Sequence, residues 1–412
     1  MLNKNVVALP TRFVEKYLIL IIIYGVIDFV IGGFAVFFDI RTPFILTMLS
    51  IRLLLDFLLI VFNFTKIKLS KLEILLIGLL FITLFLGILN FPIGRRHFTD
   101  FINPLMFILK ISIFRQFLSF QSNIWIKTYI FKFARILFWV GMINVAALYI
   151  INYFMPIYLG ATPIAYPFLI KAMLGSNIKY SSIAIIGVIL AGKRAILLGV
   201  IVILVTYYVI IKKKIKSIFY FLIAIFFLSS IYIIFQDNVE ETQAINKYKN
   251  SFNAISSYDF EYDDLDLLNT ISGGRISEIQ GAFQDFDSPF EYAFGQGVGF
   301  VFRWYLSDNI IIQDNHSNVH FSPAGIISKY GLLFFISLYF YIFLAMIKSR
   351  LGWKKSNYLH IFMFLYVIGV LVDSLFAYTL FIDIFLPIAL GYLTIYSKKN
   401  NLDDYDSVEN LK

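Results

Sequence analysis

Hydrophobic residues gather in long runs along the chain, and short polar or basic segments separate the runs. A helix needs about 20 apolar residues to cross the hydrocarbon core of a bilayer, and many of the runs have that length. The pattern predicts spans near residues 17–38, 43–64, 72–91, 101–119, 136–155, 195–211, 217–235, 324–347, 358–378 and 380–397. A shorter pair, at 157–174 and 178–191, predicts either two thin spans or a re-entrant hairpin. The predicted total is therefore ten or twelve spans.

One long segment interrupts this pattern. Residues 236–320 are polar and hold fourteen Asp or Glu residues against four Lys or Arg residues. A loop of this length inside a membrane protein is usually functional or disordered. The pattern divides the chain into N-terminal transmembrane helices (1–235), a large loop (236–322), C-terminal transmembrane helices (323–397) and a tail (398–412).

Composition narrows the class of protein. The 412 residues are 59% hydrophobic and 15% charged, with a mean hydropathy of +0.80. These values exclude a soluble globular domain and predict an all-α polytopic integral membrane protein. The net charge of +9 does not indicate nucleic-acid binding, because the basic residues are spread over short loop clusters. The sequence has no cysteine, which excludes disulfides and thiol chemistry.

The basic clusters predict an orientation in the membrane. "KIKLSK" (66–71), "KKKIK" (212–216) and "KSRLGWKK" (348–355) fall on one side of the predicted spans, together with both termini. That side is cytoplasmic by the positive-inside rule. The large acidic loop then lies on the outward side.

The second half of the large loop holds two candidate binding elements. In "NTISGGRISEIQGAF" (269–283), Arg275 follows a Gly-Gly turn and precedes a stretch with helical spacing. Arginine at such a helix start can hold a phosphate, whereas the alternative is a surface arginine that pairs with a nearby acid. The second element, "FGQGVGF" (294–300), contains Gly295, Gly297 and Gly299. It is not a dinucleotide fingerprint, and its spacing favours a turn where two backbones pack closely.

Two of the four histidines lie close together at the end of this loop. His316 and His320 precede "FSPAGIISKYGLL", in which Ser322 can cap a helix and Pro323 fits its first position. Their spacing, with Asp314 nearby, could place metal ligands together. The stretch lacks the glutamate of H-E-x-x-H, and Pro323 opposes a helix running through it. A histidine in a loop is more often structural or solvated, and one at a membrane-embedded cavity is suited to act as a general base.

Charged residues also occur within or beside predicted spans. In "LAGKRAILLGV" (190–200), Lys193 and Arg194 separate two apolar runs. Such charges commonly extend to lipid headgroups, and the alternative is a cavity that binds an anion. Arg52 and Asp56 lie four residues apart within one span and predict an internal ion pair that fixes helix packing.

The order of these elements resembles the O-antigen polymerase and ligase superfamily. That family has many spans, an arginine that opens a middle helix, and a large periplasmic loop with Ser-Gly-Arg, Gly-x-Gly and histidine elements in that order. Here "AGKRAILLG", "SGGRISEIQGAF", "GQGVG" and "VHFSPAGIISKYGLL" follow the same order over the second half of the chain. His320 lies eleven residues before Gly331, as the family's histidine does before its glycine. The chain departs from the family where "GKR" replaces Ser-Arg and where Phe321 stands in place of a common Asn.

The resemblance implies a GT-C-like glycosyltransferase in the bacterial inner membrane, with its active site facing the periplasm. Its donor is a glycan on undecaprenyl diphosphate, and its further partners are the lipid bilayer and a chain-length regulator. Arg194 and Arg275, with Gly295 and Gly297, would bind the diphosphate, and Arg275 and His320 would be the catalytic residues. Neither a metal nor another cofactor is expected. The alternatives are a ligase that transfers the glycan to lipid A–core and, in another class, a lipid-linked oligosaccharide flippase.

Overall fold

The computed structural model describes the greater part of the chain and is mostly helical. The described residues are 13–21, 23–25, 27, 41–121, 128–132, 134–136, 139, 142–143, 165–190, 194–213, 275–307, 310–317, 319–353, 358–376 and 380–396. The predicted span at 217–235, most of those at 17–38 and 136–155, the tail, and the loop through residue 274 lie outside them. The predicted total of ten or twelve spans therefore stays a prediction.

The described helices follow the apolar runs closely. Residues 13–21 are helical and precede the first fully bounded helix. The helices are α1 (Arg41–Asn63), α2 (Lys71–Asn90), α3 (Arg95–Phe120), α4 (Ala165–Leu174), α5 (Ile178–Leu190), α6 (Arg194–Val205, continued by a π-helical turn, Thr206–Ile211), α7 (Arg275–Phe283), α8 (Pro289–Phe294), α9 (Ser322–Trp353), α10 (Tyr358–Ser374) and α11 (Leu386–Tyr396).

Four of the described helical segments are long and apolar enough to cross a membrane: Leu46–Lys66, Lys71–Asn90, Arg95–Ser119 and Ser322–Ile347. Large apolar side chains on them point away from the protein core, among them Phe57, Phe85 and Phe343, each more than half exposed. An apolar outer surface on long helices suits a lipid environment. The prediction of a helical membrane protein is confirmed at this level.

The large loop adds the only strands in the described part of the chain. Strands β1 (Phe302–Ser307) and β2 (Ile310–His316) pair antiparallel, with Phe302 opposite His316. The all-α prediction missed this hairpin. Its strands are short, so they carry little of the periodic signal that reveals a strand.

Two buried carboxylates join the long helices. Ser70 and Glu73 form a capping box that starts α2, and Glu73 also accepts hydrogen bonds from Arg115 of α3 and Tyr341 of α9, each at 2.8 Å. The side chain of Glu73 is fully buried. Removing one partner of such a buried pair typically costs about 3–5 kcal/mol, because the other charge is left uncompensated.

The second buried carboxylate, Asp56, forms the predicted ion pair with Arg52 and a closer one with Lys110. Asp56 of α1 lies 4.0 Å from Arg52, the limit of an ion pair, and only 2.7 Å from Lys110 of α3. Tyr17 also donates to Asp56. The main function of Asp56 is therefore to join α1 to α3 and to the N-terminal helix, which sequence spacing within α1 does not reveal.

The loop is anchored on the helices through glycines. Gly297 has a φ of +97°, and a Cβ at this position would lie 2.3 Å from the backbone nitrogen of Gly87 in α2. Gly331 interrupts the helical dihedrals of α9 with a φ of 80°, and a Cβ there would lie 2.3 Å from the carbonyl oxygen of Ala293. Only glycine permits both the conformation and the close approach. The loop is therefore docked at one end of α2 and on the first turns of α9.

Candidate active site

The candidate site centres on a carboxylate that the sequence analysis did not single out. Glu278 lies in the first turn of α7 and its side chain is fully buried. Three groups from the far end of the loop converge on it. Its Oε1 lies 2.8 Å from His316 Nε2 and 2.7 Å from His320 Nδ1, and its Oε2 accepts the backbone N–H of His320 at 2.9 Å.

The three contacts arise where separate elements meet. Glu278 is on α7, His316 is the last residue of β2, and His320 lies two residues before α9. Helix α7 packs on β1, and Trp304 of β1 donates its indole N–H to Ser277 at 3.1 Å. The hairpin thereby fixes the distance between α7 and the histidines.

The carboxylate determines the proton positions on both rings. Burial raises the pKa of Glu278, but hydrogen bonds from His316 and His320 outweigh it and lower the pKa from 4.5 to about 2. An ionised carboxylate only accepts hydrogen bonds, so His316 Nε2 and His320 Nδ1 both carry protons. In the neutral form, the proton-accepting nitrogen of His320 is therefore Nε2.

Of the two histidines in the cluster, His320 has the more exposed side chain. Its side chain is 42% exposed, against 13% for His316. The His316 ring packs against Phe302 and Trp304 with centroid distances of 5.2 Å, and the two imidazoles stack at 6.2 Å. His316 is thus enclosed by aromatic rings, whereas His320 is the more exposed of the two histidines.

Arg275 lies beside this cluster. It is the first residue of α7, and its guanidinium nitrogen NH1 is 3.6 Å from Glu278 Oε2. The side chain is 28% exposed, so part of the guanidinium can meet a ligand. The pairing with an acid, which the sequence left open as an alternative, is present, and it brings Arg275 to the same carboxylate as His320.

The same atoms could also hold a metal ion. The ligand atoms of Glu278, His316 and His320 all lie within 4.8 Å of one another. The sequence-based metal alternative named Asp314 as the acid, but Glu278 is the carboxylate that joins the histidines, and the side chain of Asp314 lies outside the described residues. The atoms that would bind an ion already form hydrogen bonds with one another, so the arrangement does not require an ion.

The other two predicted binding elements are Arg194 and the pair Gly295 and Gly297. Arg194 begins α6, but its side chain lies outside the described residues, so its predicted meeting with Arg275 stays a prediction. Gly295 and Gly297 are buried, and their N–H groups donate to the carbonyls of Glu291 at 2.7 Å and Lys329 at 3.0 Å. Those N–H groups are used within the fold, which disfavours the predicted diphosphate contact and agrees with close backbone packing.

Sequence reasoning missed Glu278, and it joined His316 to His320 only in the metal alternative. Glu278 lies three residues after Arg275, in the first turn of the same helix, where an acid also suits the helix dipole. That position gives no sign of partners 38 and 42 residues away. The available signal was the pair of histidines at the far end of a loop with fourteen acidic residues, any of which can pair with an imidazole.

No protein-family model, curated protein or solved structure matches this chain.

Proposed function

We propose that this protein is a membrane glycosyltransferase that polymerises a lipid-linked glycan. The observation that carries the proposal is the attachment of His320 to the buried carboxylate of Glu278, with Arg275 beside it. A general base needs a fixed tautomer and an accessible nitrogen, and a diphosphate leaving group needs a cation. The cluster combines these requirements at the membrane end of the large loop.

The donor in this proposal is a glycan chain on undecaprenyl diphosphate. The bond between the anomeric carbon and the diphosphate oxygen breaks, and its electron pair leaves with the diphosphate. Arg275 stabilises the charge that develops, because a guanidinium binds phosphate oxygens in a fixed fork. Arg194 is the proposed second cation.

The acceptor is the terminal sugar of a new lipid-linked repeat unit. Its hydroxyl oxygen attacks the anomeric carbon, and its proton passes to Nε2 of His320. Glu278 then stabilises the imidazolium, as the buried aspartate does in a Ser-His-Asp triad. Such proton transfer is typically worth about 10²–10⁴-fold in rate. The products are a chain longer by one repeat and free undecaprenyl diphosphate.

The proposed location is the bacterial inner membrane, with the cluster facing the periplasm. The basic clusters at 66–71, 212–216 and 348–355 support a cytoplasmic opposite side. A periplasm-specific reporter fused near Asp263 should then be active. Reporter activity from a cytoplasm-specific fusion at that position would contradict the orientation.

A deletion strain tests the function against its two alternatives. Loss of a polymerase leaves lipid A–core that carries a single repeat unit on a gel of surface polysaccharide. Loss of a ligase leaves bare core, and loss of a flippase leaves bare core with lipid-linked units trapped inside the cell. We expect the single-repeat band, and either bare-core pattern would contradict the polymerase.

A further inference from the structure

A cavity outside the Glu278 cluster is the strongest unassigned feature of the described residues. It has a volume of about 600 Å³ and lies between the start of α3 and the glycine-rich part of the loop. Arg95, Arg96 and Thr99 of α3 line one side, and Gly299 and Val301 line the other.

Both arginines are available to a ligand. Arg95 and Arg96 are exposed, and within the described part of the chain neither forms an ion pair with a carboxylate. The neighbouring acid, Asp100, is already occupied, because it binds Lys329 at 2.8 Å and the N–H of Gly299 at 3.1 Å. The cavity therefore carries two positive charges that no described side chain neutralises.

The placement of this charge favours an anion in the cavity. Two basic side chains in the first turn of a helix oppose its dipole, which favours negative charge there. The start of α3 also lies at the same end of the helices as the acidic loop, where the positive-inside rule disfavours arginine. The two arginines line a concavity, which an anion can enter.

Exposed apolar residues lie close to the two arginines in the sequence. Leu89, Ile93 and Phe98 are 64%, 77% and 57% exposed, and they flank the arginines along the chain. A ligand with a phosphate group and a long hydrocarbon chain would satisfy both features. A free anion would use the arginines and make no contact with the apolar residues.

Aromatic rings connect this cavity to the candidate active site. Phe91 contacts Phe300, and Phe300 contacts Phe302, both at centroid distances of 5.9 Å. Phe302 contacts His316 at 5.2 Å. A diphosphate in the cavity would therefore be separated from the candidate active site by this series of packed rings.

We infer that Arg95 and Arg96 bind the diphosphate of a second lipid-linked substrate, the acceptor repeat unit. The inference rests on the proposed function, which requires two lipid diphosphates on one protein. Arg275 would hold the donor diphosphate at the Glu278 cluster, and the arginine pair would hold the acceptor diphosphate at the cavity. The acceptor's sugars would reach His320 over the surface of the loop, because Phe300 and Phe302 are each only 3% exposed.

Binding stoichiometry tests the inference without an activity assay. Purified protein is titrated with undecaprenyl diphosphate and examined by native mass spectrometry. We expect two bound lipids on the wild type and on the control variant Lys212→Gln/Lys213→Gln. The two control lysines are also adjacent and exposed, and they lie at the end of the helical segment that begins with α6. We expect one on Arg95→Gln/Arg96→Gln and one on Arg275→Gln, because each site loses charge-assisted hydrogen bonds and weakens by about a hundredfold.

The outcomes separate this inference from the proposed function. Two bound lipids on Arg95→Gln/Arg96→Gln would overturn the inference, whatever glycan the enzyme makes. If phosphatidylglycerol competes equally with undecaprenyl diphosphate, the inference is also overturned, because the arginine pair is then a general headgroup contact. If inorganic pyrophosphate competes equally, the site does not require a lipid, and the assignment to a lipid-linked substrate is overturned. If the expected stoichiometry holds but no polymer forms from lipid-linked repeats, the site stands and the proposed polymerase fails.

Discussion

His320 gives both its backbone N–H and its ring Nδ1–H to the carboxylate of Glu278, at 2.9 and 2.7 Å. Two donors from one residue fix the position and the rotation of the imidazole together. The nitrogen that these bonds leave over is Nε2, and the His320 side chain is 42% exposed. The relationship makes Glu278 a positioning residue for His320 in the proposed reaction.

Glu278→Gln should therefore lower turnover and leave donor binding nearly unchanged. Gln can accept through its oxygen, but its amide cannot stabilise an imidazolium, and it can turn an N–H toward the ring and favour the wrong tautomer. The comparable change in a Ser-His-Asp triad lowers kcat by about 10⁴-fold, and we expect a fall of about a hundredfold or more. Glycan synthesis and donor binding are measured separately on purified protein.

The matched control for this change is Glu291→Gln. Glu291 lies in the same loop and caps α8, a task that Gln also performs, and it is not in the cluster. It should retain wild-type turnover. Equal turnover of Glu278→Gln and Glu291→Gln would contradict a positioning function for Glu278.

His316→Ala should lower turnover less than His320→Ala does. His316 shares Oε1 of Glu278 with His320, so its loss removes one of the donors that hold the carboxylate. The two hydrogen bonds from His320 remain, and we expect turnover to fall by about tenfold, against about 10²–10⁴-fold for His320→Ala. A larger loss from His316→Ala than from His320→Ala would reverse the assigned functions of the two histidines.

The ionised state of Glu278 should make stability depend on pH. Its pKa is 4.5 when unperturbed and about 2 in the folded protein, so the carboxylate favours the folded state. This contribution, a few kcal/mol, is complete above the unperturbed pKa and is lost as the pH falls toward the folded pKa. The melting temperature of wild type should exceed that of Glu278→Gln at neutral pH, and the gap should narrow on acidification below about pH 4.5. A gap that stays constant under acid would contradict the lowered pKa.

Gly297→Ala should detach the loop from α2. The substitution adds a Cβ 2.3 Å from the backbone of Gly87 and places alanine at a φ of +97°. Strain of this kind costs about 1–3 kcal/mol, and the clash adds to it, so the melting temperature and the yield should fall. Gly78→Ala in α2 is the control, since its Cβ would meet no atom within 4 Å. A Gly297→Ala variant as stable as Gly78→Ala would contradict the docking described for the loop.

The apolar runs predicted the long helices because an apolar run of bilayer length can form few structures other than a helix. The predicted span at 324–347 lies within α9, and the one at 72–91 matches α2 to one residue. Helix α3 begins at Arg95 rather than at the predicted 101, because its first turns are polar and hydropathy does not detect them. The kink at Gly331 likewise depends on a backbone contact that no local pattern records.

The candidate site was predictable only in part. Arg275 and His320 were identified by the order of motifs, but the group that joins them was not. Glu278 meets His320 across 42 residues, through a hairpin that carries almost no hydropathy signal. Arg95 and Arg96 lie between two predicted spans, and a pattern of spans and loops assigns no function to residues there.

Glycan synthesis by purified protein tests the central claim most directly. Undecaprenyl-diphosphate-linked repeat units are supplied to wild type and to His320→Ala in liposomes, with a chelator present, and the products are separated as a ladder. We expect a ladder from wild type, since arginine and not a metal is the proposed partner of the diphosphate. We expect single repeats alone from His320→Ala at equal protein incorporation. A near-normal ladder from His320→Ala, or a wild-type ladder that needs added zinc or magnesium, would contradict the account.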